Sequence, residues 1–170
     1  MIETRRLRLR DWRPADRTCL HPVLGDPEVM RFSDRGALCK ADQAAWLSNA
    51  LSGKCQDGLP GCLAIERKHD AAVLGYVGLS RDATRVGQGD AEIGFRLAMG
   101  AWGRGYATEA ANGIIDDAAQ VGLARRVVAI VDPGNTRSLR VIEKLGMTFE
   151  RDILFDGYDH PDHLYARQIA

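Results

Sequence analysis

Hydrophobic positions along the chain change their period several times, and the changes mark out strands and helices. Leu7 and Leu9 alternate with arginines. A period of two is the mark of a half-buried strand, and it predicts a first strand that takes in Ile2 and ends near Trp12. Pro14-Ala15-Asp16 then suits a first helical turn, with proline tolerated there and the acid favoured by the helix dipole. Residues Lys40 to about Leu51 read as a helix with Ala44, Ala45, Leu47 and Leu51 as its apolar positions. Gly53, Gly58, Pro60 and Gly61 break the chain. Cys62–Glu66 and Val73–Leu79 read as two strands of a hairpin turning at His69-Asp70-Ala71. A polar loop, Arg81–Asp90, leads into a strand at Ala91–Ala98.

The second half alternates helix and strand. From about Gly105 to Gln120, Ala107, Ala110, Ala111, Ile114, Ile115, Ala118 and Val121 fall toward one broad face, and Gly122 suits the stop. Arg126–Val131 is nearly all apolar, as in a strand covered on both faces. Ser138–Leu145 predicts a short helix with Leu139, Ile142 and Leu145 inward. Two last strands are expected at Met147–Phe155 and His163–Ile169, separated by Asp156-Gly157. No repeat, low-complexity tract or linker interrupts the order, which predicts one α/β domain (α+β, mixed sheet) over residues 1–170.

Composition changes this picture little. The chain has 170 residues, 45% hydrophobic and 27% charged, with a formal net charge of zero. That balance gives no reason to expect nucleic acid or an anionic membrane as the main ligand. Arg5, Arg6, Arg8, Arg10 and Arg13 crowd the N-terminus, but their alternation with leucines reads as the wet face of a strand. Cys19, Cys39, Cys55 and Cys62 form no C-x-x-C pair, and His21, His69, His160 and His163 complete no zinc pattern. His160 and His163 read as a loop pair, so no metal is expected. No apolar run approaches a membrane span, no signal peptide precedes the first strand, and the cysteines suit reduced thiols. A cytoplasmic protein is expected.

The chemistry concentrates at Trp102-Gly103-Arg104-Gly105-Tyr106-Ala107-Thr108-Glu109-Ala110, between a strand and a helix. Glycines at such a turn expose backbone N–H groups, and a helix start adds unpaired donors and partial positive charge. Together they suit a phosphate. Two readings remain at this level. Glycines here can serve tight packing alone. A dinucleotide-binding turn needs Gly-x-Gly-x-x-Gly, and Thr108 stands where the third glycine belongs, although Asp132 could imitate the ribose-binding acid. A Walker loop is excluded, because no Gly-Lys-Ser/Thr follows.

The third reading comes from a resemblance. The string Glu92-Ile93-Gly94-Phe95 through Trp102-Gly103-Arg104-Gly105-Tyr106-Ala107-Thr108-Glu109-Ala110 resembles the GNAT superfamily of N-acetyltransferases, most closely its RimJ/RimL-type branch. Trp102 stands where that family's pyrophosphate loop, Gln/Arg-x-x-Gly-x-Gly/Ala, opens with Gln or Arg. Asn135-Thr136-Arg137-Ser138 and Glu143-Lys144-Leu145-Gly146-Met147 resemble a second family segment. Glu3–Arg10 and Gly25-Asp26-Pro27-Glu28-Val29-Met30 also fit, so the likeness covers nearly the whole chain.

The resemblance implies attack of a neutral amine on the thioester of acetyl-CoA, held between two splayed parallel strands, Ala91–Ala98 and Arg126–Val131, with a bulge near the end of the first opening the gap. Backbone groups of Leu97, Ala98 and Met99 would hold pantetheine as an added strand. Gly103, Arg104, Gly105, Tyr106, Ala107 and Thr108 would hold pyrophosphate, and Asn135 would bond pantetheine or lie beside the thioester. Glu92 is the candidate base, with orientation of backbone or substrate as its alternative role. Ser138 is the candidate acid toward the thiolate, or a helix-start residue bonding backbone. The family's frequent tyrosine acid is Ile142 here; Tyr106 and Tyr165 are possible substitutes, although packing suits both. Arg104 and Arg137 would pair with CoA phosphates or stand in solvent. Glu109 has no expected ligand role beyond suiting the helix dipole.

The acceptor, a protein N-terminal α-amine or a small-molecule amine, would be chosen by Phe32-Ser33-Asp34-Arg35, Trp46, the Arg81–Asp90 loop with Asp82, and Tyr158-Asp159-His160. An α-amine with a pKa near ~8 is partly neutral at pH 7, whereas a lysine near ~10.4 mostly is not. The partner expected is this amine; related proteins often dimerise, so the resemblance also allows a homodimer, which the sequence itself does not show. A non-catalytic acyl-CoA-binding or sensing domain is the alternative function.

Overall fold

The computed structural model describes residues 1–52, 59–81 and 89–169. Cys55, Gly53, Gly58 and Asp82, singled out above, lie outside them. Eight strands form one mixed sheet: β1 (Ile2–Glu3), β2 (Leu7–Arg10), β3 (Gly61–Arg67), β4 (Val73–Ser80), β5 (Asp90–Leu97), β6 (Arg126–Val131), β7 (Thr148–Ile153) and β8 (Asp162–Gln168). Their order is β1-β2-β3-β4-β5-β6-β8-β7. All neighbours are antiparallel except β5 and β6, which are parallel. The helices are α1 (Lys40–Leu51), α2 (Tyr106–Gln120) and α3 (Thr136–Lys144). Shorter helical turns cover Pro14–Cys19, His21–Gly25 and Met99–Ala101.

The apolar stripe of α2 lies on one sheet face. Ala110, Ala111, Ile114, Ile115 and Ala118 are buried against Leu7, Leu9, Ile65, Val77 and Leu79. Burying one isoleucine there contributes about 1.5–3 kcal/mol. Val121, expected on this stripe, is 63% exposed, because it caps the helix instead of extending it. The opposite face is covered by α1 and the two helical turns of residues 14–25, around Trp12, Leu20, Leu24, Met30 and Leu47. On α1 the buried residues are Gln43 and Leu47, while Ala45 and Leu51 are exposed. Gln43 is accommodated because its amide donates to the Leu38 carbonyl at 2.8 Å.

The N-terminal segment differs from the single strand expected of it. Thr4 N–H donates to the Leu7 carbonyl at 3.0 Å, and the Thr4 hydroxyl accepts from Leu7 N–H at 3.1 Å. This turn folds β1 back on β2, with Ile2 opposite Leu9. Nor are all its arginines wet. Arg10 is 5% exposed. Its guanidinium donates to Glu66 Oε2 at 2.6 Å and to both Asp16 oxygens at 2.8 and 3.0 Å. Asp16 also accepts from Arg13 N–H at 2.8 Å. Alternation alone cannot reveal this, since the two carboxylates that make burial tolerable come from a helical turn and a distant strand.

The parallel pair positions the site. β5 and β6 pair at Asp90↔Arg126, Ala91↔Val127 and Glu92↔Val128, and no further. Beyond that point β5 stays in register with β4 as far as Leu97, and β6 with β8 as far as Val131. The two strands therefore diverge, each held by its outer neighbour. The expected bulge in β5 is absent: its pairing with β4 runs without a register shift from Glu92 to Leu97. Divergence alone opens the gap.

Candidate active site

A cleft of about 580 Å³ lies beside the end of β5 that has parted from β6, between the turn before α2 and α3. Phe95, Leu97 and the turn before α2 form one wall; Asn135, Ser138 and Val141 of the α3 region form another; Glu28 and Phe32 close one rim. Each wall offers a different chemistry.

The turn has the backbone geometry that suits an anion. Gly103 and Gly105 have φ of +69° and +77°, a region that side chains with a Cβ rarely adopt. Gly105 is the N-cap of α2, and the first turn-closing bond runs from Glu109 N–H to the Gly105 carbonyl at 3.0 Å. The N–H groups of Tyr106, Ala107 and Thr108 therefore have no intrahelical acceptor. A glycine cap has no side chain to cover them, and all three residues line the cleft.

The strand offers an edge. Ala98 N–H donates to the Leu74 carbonyl at 2.9 Å. In an antiparallel ladder the bonded pairs alternate, so Arg96 and Gly94 also bond toward β4, while Phe95 and Leu97 direct their N–H and C=O groups toward the gap. The Leu97 carbonyl is taken by Trp102 Nε1 at 2.7 Å. Phe95 N–H, Phe95 C=O and Leu97 N–H remain as the accessible edge. Ala98 and Met99 do not line the cleft. The Ala98 carbonyl accepts from Ala101 N–H, the Met99 carbonyl accepts from Trp102 N–H, and the Met99 side chain is exposed. Phe95, which the sequence reading passed over, stands in their place. Strand register was the missing signal.

α3 completes the cleft. Asn135 Oδ1 accepts from Ser138 N–H at 3.1 Å, capping the helix. One amide oxygen of Asn135 is thereby committed, and its NH₂ is the group left to address a ligand. Ser138 lines the cleft, and its hydroxyl makes no hydrogen bond to the described residues. Arg137 lies with its guanidinium carbon 4.5 Å from the Trp102 ring centre and donates to Glu28 at 3.1 Å. Arg137, Arg140 and Lys144 give this wall a positive field. Arg104 is exposed and does not line the cleft, and Tyr106 is buried beneath Arg6 at 4.5 Å. Tyr165 packs against Phe149 on the sheet.

Glu92 stands apart from these groups. It is the last residue of β5 paired to β6, lies on the sheet face opposite α2, and is half-buried. It does not line the cleft, whose β5 wall starts three residues later at Phe95.

Of the acceptor-side residues, Phe32 reaches the cleft rim, 38% exposed. Trp46 instead packs edge-on to Trp12 at 5.2 Å. His160 bonds Asp159 at 2.7 Å and Asp132 at 3.1 Å, and these two carboxylates raise its pKa above the ordinary value. Asp132, His160 and Asp162 hold possible ligand atoms within 4.8 Å of one another. Hydrogen bonds to His160 account for the approach of Asp132.

The residues fit a phosphorylated ligand with an extended amide arm. The glycine turn leaves room at its centre, with no atom within 4 Å of a Cβ built on Gly103. Uncapped N–H groups lie at one end of the cleft and a free strand edge at the other. Among the described residues, no helix is long and apolar enough to cross a membrane.

Comparison with known proteins agrees with this geometry. Residues 6–148 match the family described as acetyltransferase (GNAT) domain. The Bacillus subtilis protein YkkB, itself uncharacterised, is 32% identical over 98% of this chain and 95% of its own length. The crystal structure of a GNAT-family acetyltransferase from Bacillus anthracis superposes with a TM-score of 0.86 at 23% identity, covering 99% of this chain and 98% of that one. RimL, a ribosomal L7/L12 α-N-protein acetyltransferase solved with coenzyme A, superposes with a TM-score of 0.77 at 18% identity, covering 97% and 95%. The family match spans both walls of the cleft, and the diverging strands, the glycine turn and the α3 cap fall within it: the chain belongs to the GNAT acetyltransferases.

Proposed function

We propose that the cleft binds acetyl-CoA and that the enzyme transfers its acetyl group directly to a primary amine in a ternary complex. The observation that carries this reading is the pairing of two unsatisfied backbone surfaces in one cleft. The N–H groups of Tyr106, Ala107 and Thr108 suit a pyrophosphate, and the edge of Phe95 and Leu97 suits the amides of pantetheine. CoA bound in RimL supports the cosubstrate.

In this reading the amine nitrogen attacks the thioester carbonyl carbon, the C–N bond forms and the C–S bond breaks. Phe95 N–H or Leu97 N–H donates to the developing oxyanion. The Ser138 hydroxyl gives a proton to the departing thiolate and regains one from water, and Asn135 NH₂ orients the arm. Glu92 receives the amine proton through water, because it stands on the sheet face behind the gap. The acceptor is a protein N-terminal α-amine or a small amine entering past Phe32, as in the RimJ/RimL-type branch.

Titration calorimetry with CoA, followed by a thiol-release screen over N-terminal peptides and small amines, tests the reading. Micromolar CoA binding with release of thiol by at least one amine is expected. Binding without turnover across the whole panel would point to an acyl-CoA sensor instead. Glu92→Gln is expected to lower kcat about 10²-fold or more, flatten the basic rise of the pH profile and leave CoA affinity within about twofold of wild type. Unchanged turnover across pH removes Glu92 from the base role.

A further inference from the structure

The glycine turn has a back as well as a front. Gly103, Gly105 and Tyr106 line the cleft, while Arg104 does not. On the back, Arg6 Nη1 donates to the Arg104 carbonyl at 3.1 Å. The same guanidinium donates through Nε to Glu109 Oε2 at 2.6 Å and lies 4.5 Å from the Tyr106 ring centre. Glu109, in the first turn of α2, is held in place by more than Arg6. Its Oε1 accepts from the Thr4 hydroxyl and from Arg6 N–H, both at 2.7 Å. Its side chain is 17% exposed. Burial pushes its carboxyl pKa up, but the bonds from Thr4 and Arg6 outweigh burial and hold it below the ordinary value, so it is ionised at neutral pH.

We propose that Arg6 and Glu109 are positioning residues for acetyl-CoA: they clamp the 103–106 turn from behind, so that its N–H groups face the pyrophosphate. This rests on the reading of the cleft given above. Two consecutive features make a clamp necessary. A turn with two glycines at positive φ has more conformations open to it than any other stretch of the wall, and its own helix supplies no side-chain cap. The tip of the β1–β2 turn supplies the missing restraint from about 100 residues away in sequence. A planar guanidinium can serve the carboxylate, the carbonyl and the ring together, which an ammonium cannot. Because Glu109 neutralises Arg6, the clamp adds order to the turn and little net charge.

The test uses the full chain and compares wild type with Arg6→Ala, Arg6→Lys and Glu109→Gln. Three quantities are measured: CoA affinity and acetyl-CoA KM against kcat, amide hydrogen exchange over residues 103–108 without ligand, and the urea midpoint. Arg6→Ala and Glu109→Gln are expected to raise KM about fivefold to tenfold with kcat within about twofold. Exchange over 103–108 should quicken by a similar factor, and Arg6→Lys should recover part of both effects. Wild-type affinity and wild-type exchange in the variants overturn the clamp. So does a fall in kcat equal to the loss of affinity, or a lowered urea midpoint with unchanged exchange, since either marks a merely structural role. If wild type binds no CoA while the variants still exchange faster over 103–108, the clamp stands and the acetyl-CoA reading falls.

Discussion

Valine in place of Gly105 is expected to weaken CoA binding about 100-fold, the largest single effect on ligand affinity in this protein. Gly105 has φ +77°, and a β-branched residue there is strained whatever space surrounds it. Space itself is not the obstacle. A Cβ at this position meets only the Arg6 guanidinium, at 3.5 Å. The side chain therefore acts through the backbone. It drives the N-cap out of the left-handed region, at a cost of about 1–3 kcal/mol, which swings the N–H groups of Tyr106, Ala107 and Thr108 out of the position proposed for the pyrophosphate. Gly105→Ala should show a milder loss, of about fivefold to tenfold. Calorimetry with CoA reads both variants. Near-normal affinity in Gly105→Val would falsify the placement of the pyrophosphate.

The second large effect concerns stability. Arg10→Met leaves the carboxylates of Asp16 and Glu66, 8% and 7% exposed, without their buried cation; Glu66 keeps the more exposed Arg8 at 3.4 Å and Arg13 at 4.0 Å. Breaking a buried ion network from one side costs about 3–5 kcal/mol, which lowers Tm by roughly 10 °C in a chain of this size. A loss below about 1 kcal/mol in urea unfolding would show that the network is not the support it looks like. The same network sets an acid limit. Arg10 holds the Glu66 carboxyl below its ordinary value despite burial. Burial pushes Asp16 up, but its bonds to Arg10 and Arg13 N–H leave it lowered as well. A lowered folded pKa contributes stability above the unfolded value, about 4, and loses it as pH falls through the folded one. Wild type should therefore lose stability steeply below about pH 4, and Arg10→Met much less so.

Local pattern was enough for α2, β6 and the last two strands, because each is a helical stripe or a strand-like run between clear breaks. It failed where a residue's fate is decided across the fold. Arg10 alternates with leucines like an exposed residue and is buried, because Asp16 and Glu66 reach it. Ile2 and Leu9 look like members of one strand and lie opposite each other, because Thr4 bonds Leu7 in both directions. The site divides in the same manner. The positive φ of Gly103 and Gly105 was legible, since it depends on a turn of a few residues; that Asn135 caps α3 through Ser138 N–H was not, because it was expected only to face a ligand. The accessible edge at Phe95 was not. Which backbone groups of β5 face the gap depends on its register with β4, and a shift of one residue exchanges them. Glu109 was read as a residue suited to the helix dipole. Its partners, Thr4 and Arg6, lie more than 100 positions away.

The parting of β5 and β6 has a consequence for solubility. Unpaired strand edges invite other chains to add on, and most proteins blunt them at the rim of the sheet. Here two edges open in the middle of the sheet, between strands whose outer sides are already paired. The cleft at β5 is walled by the turn before α2 and by α3, which suits a slender, flexible arm better than a whole foreign strand. The architecture can thus keep sticky backbone available for a substrate while hiding it from neighbours in a crowded solution. When that arm enters, it bridges the two halves of the sheet, so occupancy should also appear as resistance to heat.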